Sequence, residues 1–202
     1  MMTFSPRFQE AFHLMMELHG QDRRKGTQIP TVAHLLGVCS MVLTDCGDED
    51  EAIAALLHDT LEDHPEKITR ADIESRFGQR VKDLVEAATD TPPDYKGGQK
   101  PPWKDRKQSY IEHIAHAEPA GLRVPLADKV DNMRAILTDY RQLGDELWSR
   151  FKAGKADQIW YFRSLVSAFR QAGVTGPMFD EFDRLVCQLE RLAAQICLPS
   201  TR

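Results

Sequence analysis

Two short stretches of this chain place residues together that stability alone does not explain. In AALLHDTLED, His58 and Asp59 are adjacent, apolar residues precede them, and Glu62 and Asp63 follow. On a helix, the spacing pairs His58 with Glu62 and Asp59 with Asp63, so acids crowd about one and a half turns. Like charges at that spacing repel, and acids close to a helix C-terminus oppose its dipole. A bound cation relieves both penalties. In LRVPLADKVDNMRAIL, Asp128 follows the apolar run Val124-Pro125-Leu126-Ala127, where an unpaired carboxylate is costly. His34 sits in another apolar stretch, IPTVAHLLGV. Each residue alone reads as a satisfied core group or a solvent-facing acid. Together, His34, His58, Asp59 and Asp128 form a mixed nitrogen and oxygen donor set. Such a set suits Mn²⁺ or another first-row divalent ion better than a closed structural zinc site.

The elements that must carry these residues read as helices throughout. Ser5-Pro6 is an N-cap followed by proline at the first helical position, and Phe8, Phe12, Met15 and Met16 recur behind it until Gly20. An apolar segment covers residues 32–43. Asp48 with Glu51 is a capping box for a helix running through Ile53, Leu56, Leu57 and Leu61, so that it carries the His-Asp pair within it. Thr69 with Asp72 opens a short helix that Gly78 separates from Val81, Leu84, Val85 and Ala88. Further helices are predicted at 105–116, 125–137, 145–152, 157–172 and 177–196. Between them, residues 90–103 hold Pro92, Pro93, Gly97, Gly98, Pro101 and Pro102, a density that no regular element survives. Long loops of this kind are lids or disordered segments. Lys96, Lys100, Lys104, Arg106 and Lys107 in and beside this one either close over an anion or face solvent. With no period-2 strand and no internal repeat, the expected fold is all-α and one domain over 1–202.

Composition bounds what such a site can serve. At 202 residues, with 42% hydrophobic and 28% charged residues, the chain has the make-up of one ordinary globular domain. A net charge of -5 argues against a general nucleic-acid binder, so any phosphate chemistry must be concentrated locally. The cysteines Cys39, Cys46, Cys187 and Cys197 show no CxxC spacing and read as reduced, mostly buried thiols. Residues 1–12 lack an apolar core of signal-peptide length, and no run is long enough to span a membrane. A cytoplasmic protein with no membrane partner is expected. Trp148, Phe151, Trp160, Tyr161 and Phe162 read as core rather than as a base-stacking wall. His113 and His116 read as surface, and His13, His19 and His64 carry no signal.

The order RKG-x-x-I-P…H, HDTLED and LADKVDNMR resembles the hydrolase domain of RelA/SpoT enzymes and the small alarmone hydrolases, over about residues 8–169. The resemblance implies an all-α HD-superfamily domain that binds one Mn²⁺ and removes pyrophosphate from the 3′ position of guanosine tetra- or pentaphosphate. It implies His34, His58, Asp59 and Asp128 as metal ligands, Glu62 and Asp63 as the catalytic acids, and Arg24, Lys25 and Asn132 beside the nucleotide. Without it, Arg23-Arg24-Lys25 is a solvated basic turn. Many relatives carry tyrosine where this chain has Thr31, so base recognition differs there, and nothing matches a synthetase half. The reading expected is a (p)ppGpp 3′-pyrophosphohydrolase. Alternatives are a phosphatase acting on another phosphorylated nucleotide such as NADPH, and a nucleotide-binding regulatory module without turnover.

Overall fold

The computed structural model describes residues 3–91 and 98–195, and every regular element among them is helical. Helix α1 (Pro6–His19) opens with the Ser5 hydroxyl accepting from the Arg7 N–H at 3.2 Å. Helix α2 (Thr31–Thr44) is followed by α3 (Glu49–Leu57), whose Asp48–Glu51 capping box closes in both directions at 2.9 and 3.0 Å. After a break come α4 (Thr60–Asp63), α5 (Arg70–Phe77) with its Thr69–Asp72 box, and α6 (Gln79–Ala88) beyond Gly78, which stands at φ 91°. Then come α7 (Trp103–His116), α8 (Arg123–Leu143), α9 (Lys155–Gln171) and α10 (Pro177–Gln195).

The structure departs from the sequence expectation in several places. Helix α8 begins at Arg123 and runs to Leu143 instead of stopping at Leu137. Pro125 lies in its first turn, where a missing N–H loses no helical bond. Residues 145–152 do not form an α-helix; Gly144–Arg150 is a 3₁₀ turn. The Asp145 carboxylate gathers Tyr140, Trp148 and Lys155 there at 2.8, 3.2 and 2.9 Å, which tightens the chain around it. Arg23 and Pro30 form an isolated antiparallel bridge that closes the loop before α2, too short for a period-2 pattern to reveal. Pro92, Pro93, Lys96 and Gly97 of the long loop, Ile196 and Cys197 lie outside the described residues. No helix among the described residues is long and apolar enough to cross a membrane.

Helix α3 is the centre of the first half of the core. Ala52 through Leu57 are all 0% exposed, so this helix is apolar on every side, and α1, α2, α6 and α8 surround it. A second cluster joins α7, α8, α9 and α10 around Leu122, Met133, Leu165, Phe169 and Phe182. Helix α8 belongs to both, giving Val124 and Ala127 to the first and Leu126, Val130 and Met133 to the second. The candidate site forms on this shared helix.

The break between α3 and α4 corrects the continuous helix that the periodicity predicts. Neighbouring side chains on a regular helix diverge by about 100°, so His58 and Asp59 could not address one point from it. Instead the Thr60 hydroxyl donates to the Leu57 carbonyl at 2.7 Å, and His58 Nδ1 engages the Ala55 carbonyl at 2.9 Å. These side chains take carbonyls that continuing helical N–H groups would use. The Asp59 carbonyl then receives the Glu62 and Asp63 N–H groups at 3.1 and 2.9 Å, restarting the helix as α4. Thr60→Val strands a buried carbonyl at this step. It should cost about 1–3 kcal/mol in urea unfolding of the metal-free chain.

Candidate metal centre and active-site cleft

Helix α2 supplies His34, the α3–α4 break supplies His58 and Asp59, and α8 supplies Asp128. The four converge from three separate parts of the sequence. His34 Nε2 stands 3.3 Å from His58 Nε2, 3.2 Å from Asp128 Oδ1 and 3.7 Å from Asp59 Oδ2. His58 Nε2 stands 3.3 Å from Asp59 Oδ1 and 3.6 Å from Asp128 Oδ1. Donor atoms bound at roughly 2.0–2.2 Å around one ion stand about 3–3.6 Å apart, and this set matches that spacing.

The donor chemistry fits a cation as well. His34 Nδ1 is 2.6 Å from Asp131 Oδ2, and His58 Nδ1 faces the Ala55 carbonyl. With each Nδ1–H donating outward, both Nε2 lone pairs face each other at 3.3 Å, a contact that a proton or a cation between them relieves. The carboxylates make the same demand. Burial alone would lower the His58 pKa, but Asp59 and Asp128 outweigh it and push the imidazole up to about 9. His34 is raised in the same way, by Asp128 and Asp131 against its burial. Asp128 and Asp59 would be raised by burial, yet neighbouring positive charge holds both below the usual carboxylate range. For Asp128 that charge comes first from Lys129, and for Asp59 from His58.

Around the centre, Lys129 Nζ sits 2.5 Å from Asp128 Oδ2 and 4.9 Å from the centroid of the Tyr110 ring. Asn132 donates to Asp128 and accepts from Arg24 Nη2 at 2.5 Å, so Arg24 is tied to the donor set through one amide. Glu62 and Asp63 lie on α4 at the rim. Glu62 meets Lys100, from the long loop, at 2.8 Å. Burial, then Asp59 and Glu62, push the Asp63 carboxyl up to about 7. Of the loop cations, Lys100 reaches Glu62, Arg106 and Lys107 pair with Asp90, and Lys104 turns to Asp157 and Trp160.

A cleft of about 610 Å³ runs outward from His34, Asp59 and Asp63 along Arg24, Lys25, Thr31 and Asn132 to Arg150 and Phe151. Lys25 is exposed and lies 5.9 Å above the Phe151 ring. Phe151, half-buried, lines this cleft, which corrects its reading as core alone. Trp148, Tyr161 and Phe162 are buried core residues as expected, Phe162 also meeting the cleft, and Trp160 is half-buried against them. A smaller polar recess of about 190 Å³ adjoins it, lined by Glu62, Asp63, Asp90, Lys107, Asp128 and Lys129 among others.

Sequence reasoning missed Asp131, Lys129 and Asp90; only Lys129, a buried charge in the apolar run around Asp128, carried a signal there. It also passed over His19 and His64. His19 is fully buried, and Asp22 Oδ2 accepts from His19 Nδ1 at 3.0 Å and His64 Nε2 at 2.7 Å. Both are hydrogen bonds to one carboxylate oxygen, so this cluster ties α1 to the turn after α4. Cys39 is buried, with its thiol pushed up by burial to about 11; Cys187 is half-buried and Cys46 exposed, so the expectation of mostly buried thiols holds only in part.

An all-helical bundle whose adjacent histidine and aspartate sit at a helix break, completed by a histidine and an aspartate from flanking helices, defines the class of His/Asp metal-centre proteins. The chain belongs to the HD-domain family, whose model matches residues 11–159. It is 37% identical over 143 residues to guanosine-3′,5′-bis(diphosphate) 3′-pyrophosphohydrolase MESH1 of Xenopus tropicalis, covering 69% of this chain and 73% of that protein. It is 34% identical over 146 residues to MESH1 of Homo sapiens, covering 71% and 74%. A solved metazoan orthologue of SpoT, described as hydrolysing ppGpp and acting in starvation responses, superposes with a TM-score of 0.73. The identity is 25%, over 93% of this chain and 98% of that one.

Asp90 is the buried anchor of the loop end of the site, with only 3% of its side chain exposed. Burial would raise its pKa, but Lys107 and Arg106 hold it below the ordinary carboxylate value. The stability this pairing contributes is present above that ordinary value, near 3.9, and is lost as pH falls through the lower folded value. Asp90→Asn should therefore unfold more easily than the parent at pH 7 and lose less additional stability on acidification. Chemical denaturation from pH 7 to pH 3 measures the difference.

Proposed function

We propose that this chain is a metal-dependent (p)ppGpp 3′-pyrophosphohydrolase, with Mn²⁺ as its resident ion. The observation that carries the reading is the meeting of His34, His58, Asp59 and Asp128 at the inner end of a nucleotide-sized cleft, with Asp63 beside them, Glu62 in the adjoining polar recess and Arg24 on the cleft wall. The names of the MESH1 relatives support the substrate. The whole chain acts as one unit, since α10 packs on α8 and α9. A cytoplasmic setting accords with the absence of any disulfide among the described cysteines.

The two histidines and two aspartates would hold the ion, which when bound would supply Lewis-acid polarisation of a phosphoryl oxygen and lower the pKa of water. Glu62, which pairs with Lys100 in this structure, would take the proton of the attacking water, and Asp63 would assist beside it. Arg24, fixed by Asn132, meets phosphate oxygens with a planar fork, while Lys25 adds a point charge from the exposed side. The reaction consumes water and yields GDP or GTP with pyrophosphate.

One observation favours a second substrate. Thr31 is buried on the cleft wall where many relatives place a tyrosine, so this wall offers a small side chain instead of a ring. A different phosphorylated nucleotide, such as NADPH with its 2′-phosphate, fits that change, and it would release orthophosphate.

The test resolves the products formed from ppGpp by metal-loaded protein. Pyrophosphate and GDP, lost on chelation and restored by Mn²⁺, are expected. Asp59→Ala should lose both metal and turnover. Glu62→Ala should keep the metal and lose about 10²–10⁴-fold in turnover. Orthophosphate from NADPH with ppGpp untouched would overturn the substrate, and full activity in Asp59→Ala would overturn the site. Tight nucleotide binding without any product would leave a regulatory module.

A further inference from the structure

We propose that Asp131 is the positioning residue that fixes His34 as a metal-facing imidazole, and that Gly37 is the opening in α2 that admits it. The inference rests on the metal-centre reading but concerns residues that lie behind the donor set. Asp131 Oδ2 accepts from His34 Nδ1 at 2.6 Å, leaving Nε2 directed at His58 and Asp128. Neither Asp131 oxygen is among the atoms that converge on the centre, so its influence passes through the ring.

The spacing on both helices builds this contact. Asp128 and Asp131 are three residues apart on α8, and His34 and Gly37 are three apart on α2, so each pair shares a face. A Cβ on Gly37 would stand 2.9 Å from Asp131 Oδ1 and 3.5 Å from its Cγ. The carboxylate therefore rests against bare helix, and any side chain at position 37 would force it away from His34. Nothing else in α2 requires glycine there, because Gly37 is not among the positive-φ glycines and glycine weakens a helix interior.

The two imidazoles are consequently unequal. His58 has the neutral Ala55 carbonyl behind its Nδ1, whereas His34 has a carboxylate. A carboxylate partner fixes the tautomer and increases the electron donation of Nε2 toward a metal more than a carbonyl does. His34 is the only ligand of the set contributed by α2, so Asp131 is also what holds that helix's donor in register with α8.

The experiment compares full-length parent, Asp131→Asn, Asp131→Ala and Gly37→Ala. Mn²⁺ dissociation constants come from chelator competition, apo-protein unfolding temperatures from scanning calorimetry, and the His34 Nδ1 proton from its downfield resonance. Asp131→Asn should weaken Mn²⁺ binding about 10-fold and Asp131→Ala up to about 100-fold, with loss of the resonance in the alanine variant. Gly37→Ala carries the sharper expectation. It should weaken Mn²⁺ binding about 10-fold while the apo protein melts at the same or a higher temperature, because alanine favours helix over glycine. Parent-like Mn²⁺ affinity in all three variants would overturn the proposal, as would losses that only track a lowered apo unfolding temperature. A parent protein that binds no Mn²⁺ would instead overturn the metal centre itself.

Discussion

Negative charge has to be held together in a place where water cannot solvate it well. Asp128 is buried, Asp59 stands beside it, and Asp131, Glu62 and Asp63 complete the ring around them. Carboxylates so close repel one another, and burial raises the cost of each charge. Every polar arrangement nearby answers this problem. Lys129 lies against Asp128, Asn132 bridges Asp128 to Arg24, Lys100 meets Glu62, and two imidazoles present their Nε2 atoms at the middle. The residual demand for positive charge at the point where the histidines meet is what an ion satisfies.

This demand also explains why the backbone departs from regularity where it does. Two adjacent residues can serve one centre only off a regular helix, and the hydroxyl of Thr60 and the ring of His58 hold the chain off it. Such a break leaves backbone groups to be satisfied, and burying it is tolerable because side chains take them up. Helix α3 can present the pair from the middle of the molecule because it is apolar all round and needs no solvent face of its own. Helix α8, shared by both halves of the core, sets Asp128, Asp131 and Asn132 along one stripe. Packing energy from both clusters thereby fixes the geometry of the site.

What could be read in advance follows the same division. His34, His58, Asp59 and Asp128 were legible because each is a polar residue in an apolar run, a conflict visible without coordinates. The caps at Ser5, Asp48 and Thr69 were legible because they are local. The helix break was not, since periodicity continues straight through His58 and Asp59 while the bonds that interrupt it depend on side-chain reach. Asp131 was hidden for a different reason: an acid three residues from Asp128 looks like part of a solvated face until α2 is laid against it. The burial of Asp90 with Arg106 and Lys107 depends on where a proline-rich loop returns, and no local pattern encodes that. His19 and His64 meet through Asp22 only because the chain folds back after α4.

The two parts of the cleft are built from different material. The inner end rests on α2, α3 and α8, elements whose contacts with the core leave little freedom. The outer end is walled by the loop from Arg24 to Pro30, the first residue of α2 and the 3₁₀ turn ending at Arg150, with Gly26 at φ 70° letting the loop press against the Arg150 side chain. Loops on a rigid scaffold accept substitution more readily than the scaffold does. Thr31, at the start of α2, lies on this wall and is not part of the donor set. Under the proposed function, the chemistry at the centre therefore depends on charge compensation among helices, and the fit of the nucleotide on the residues at the outer mouth of the cleft.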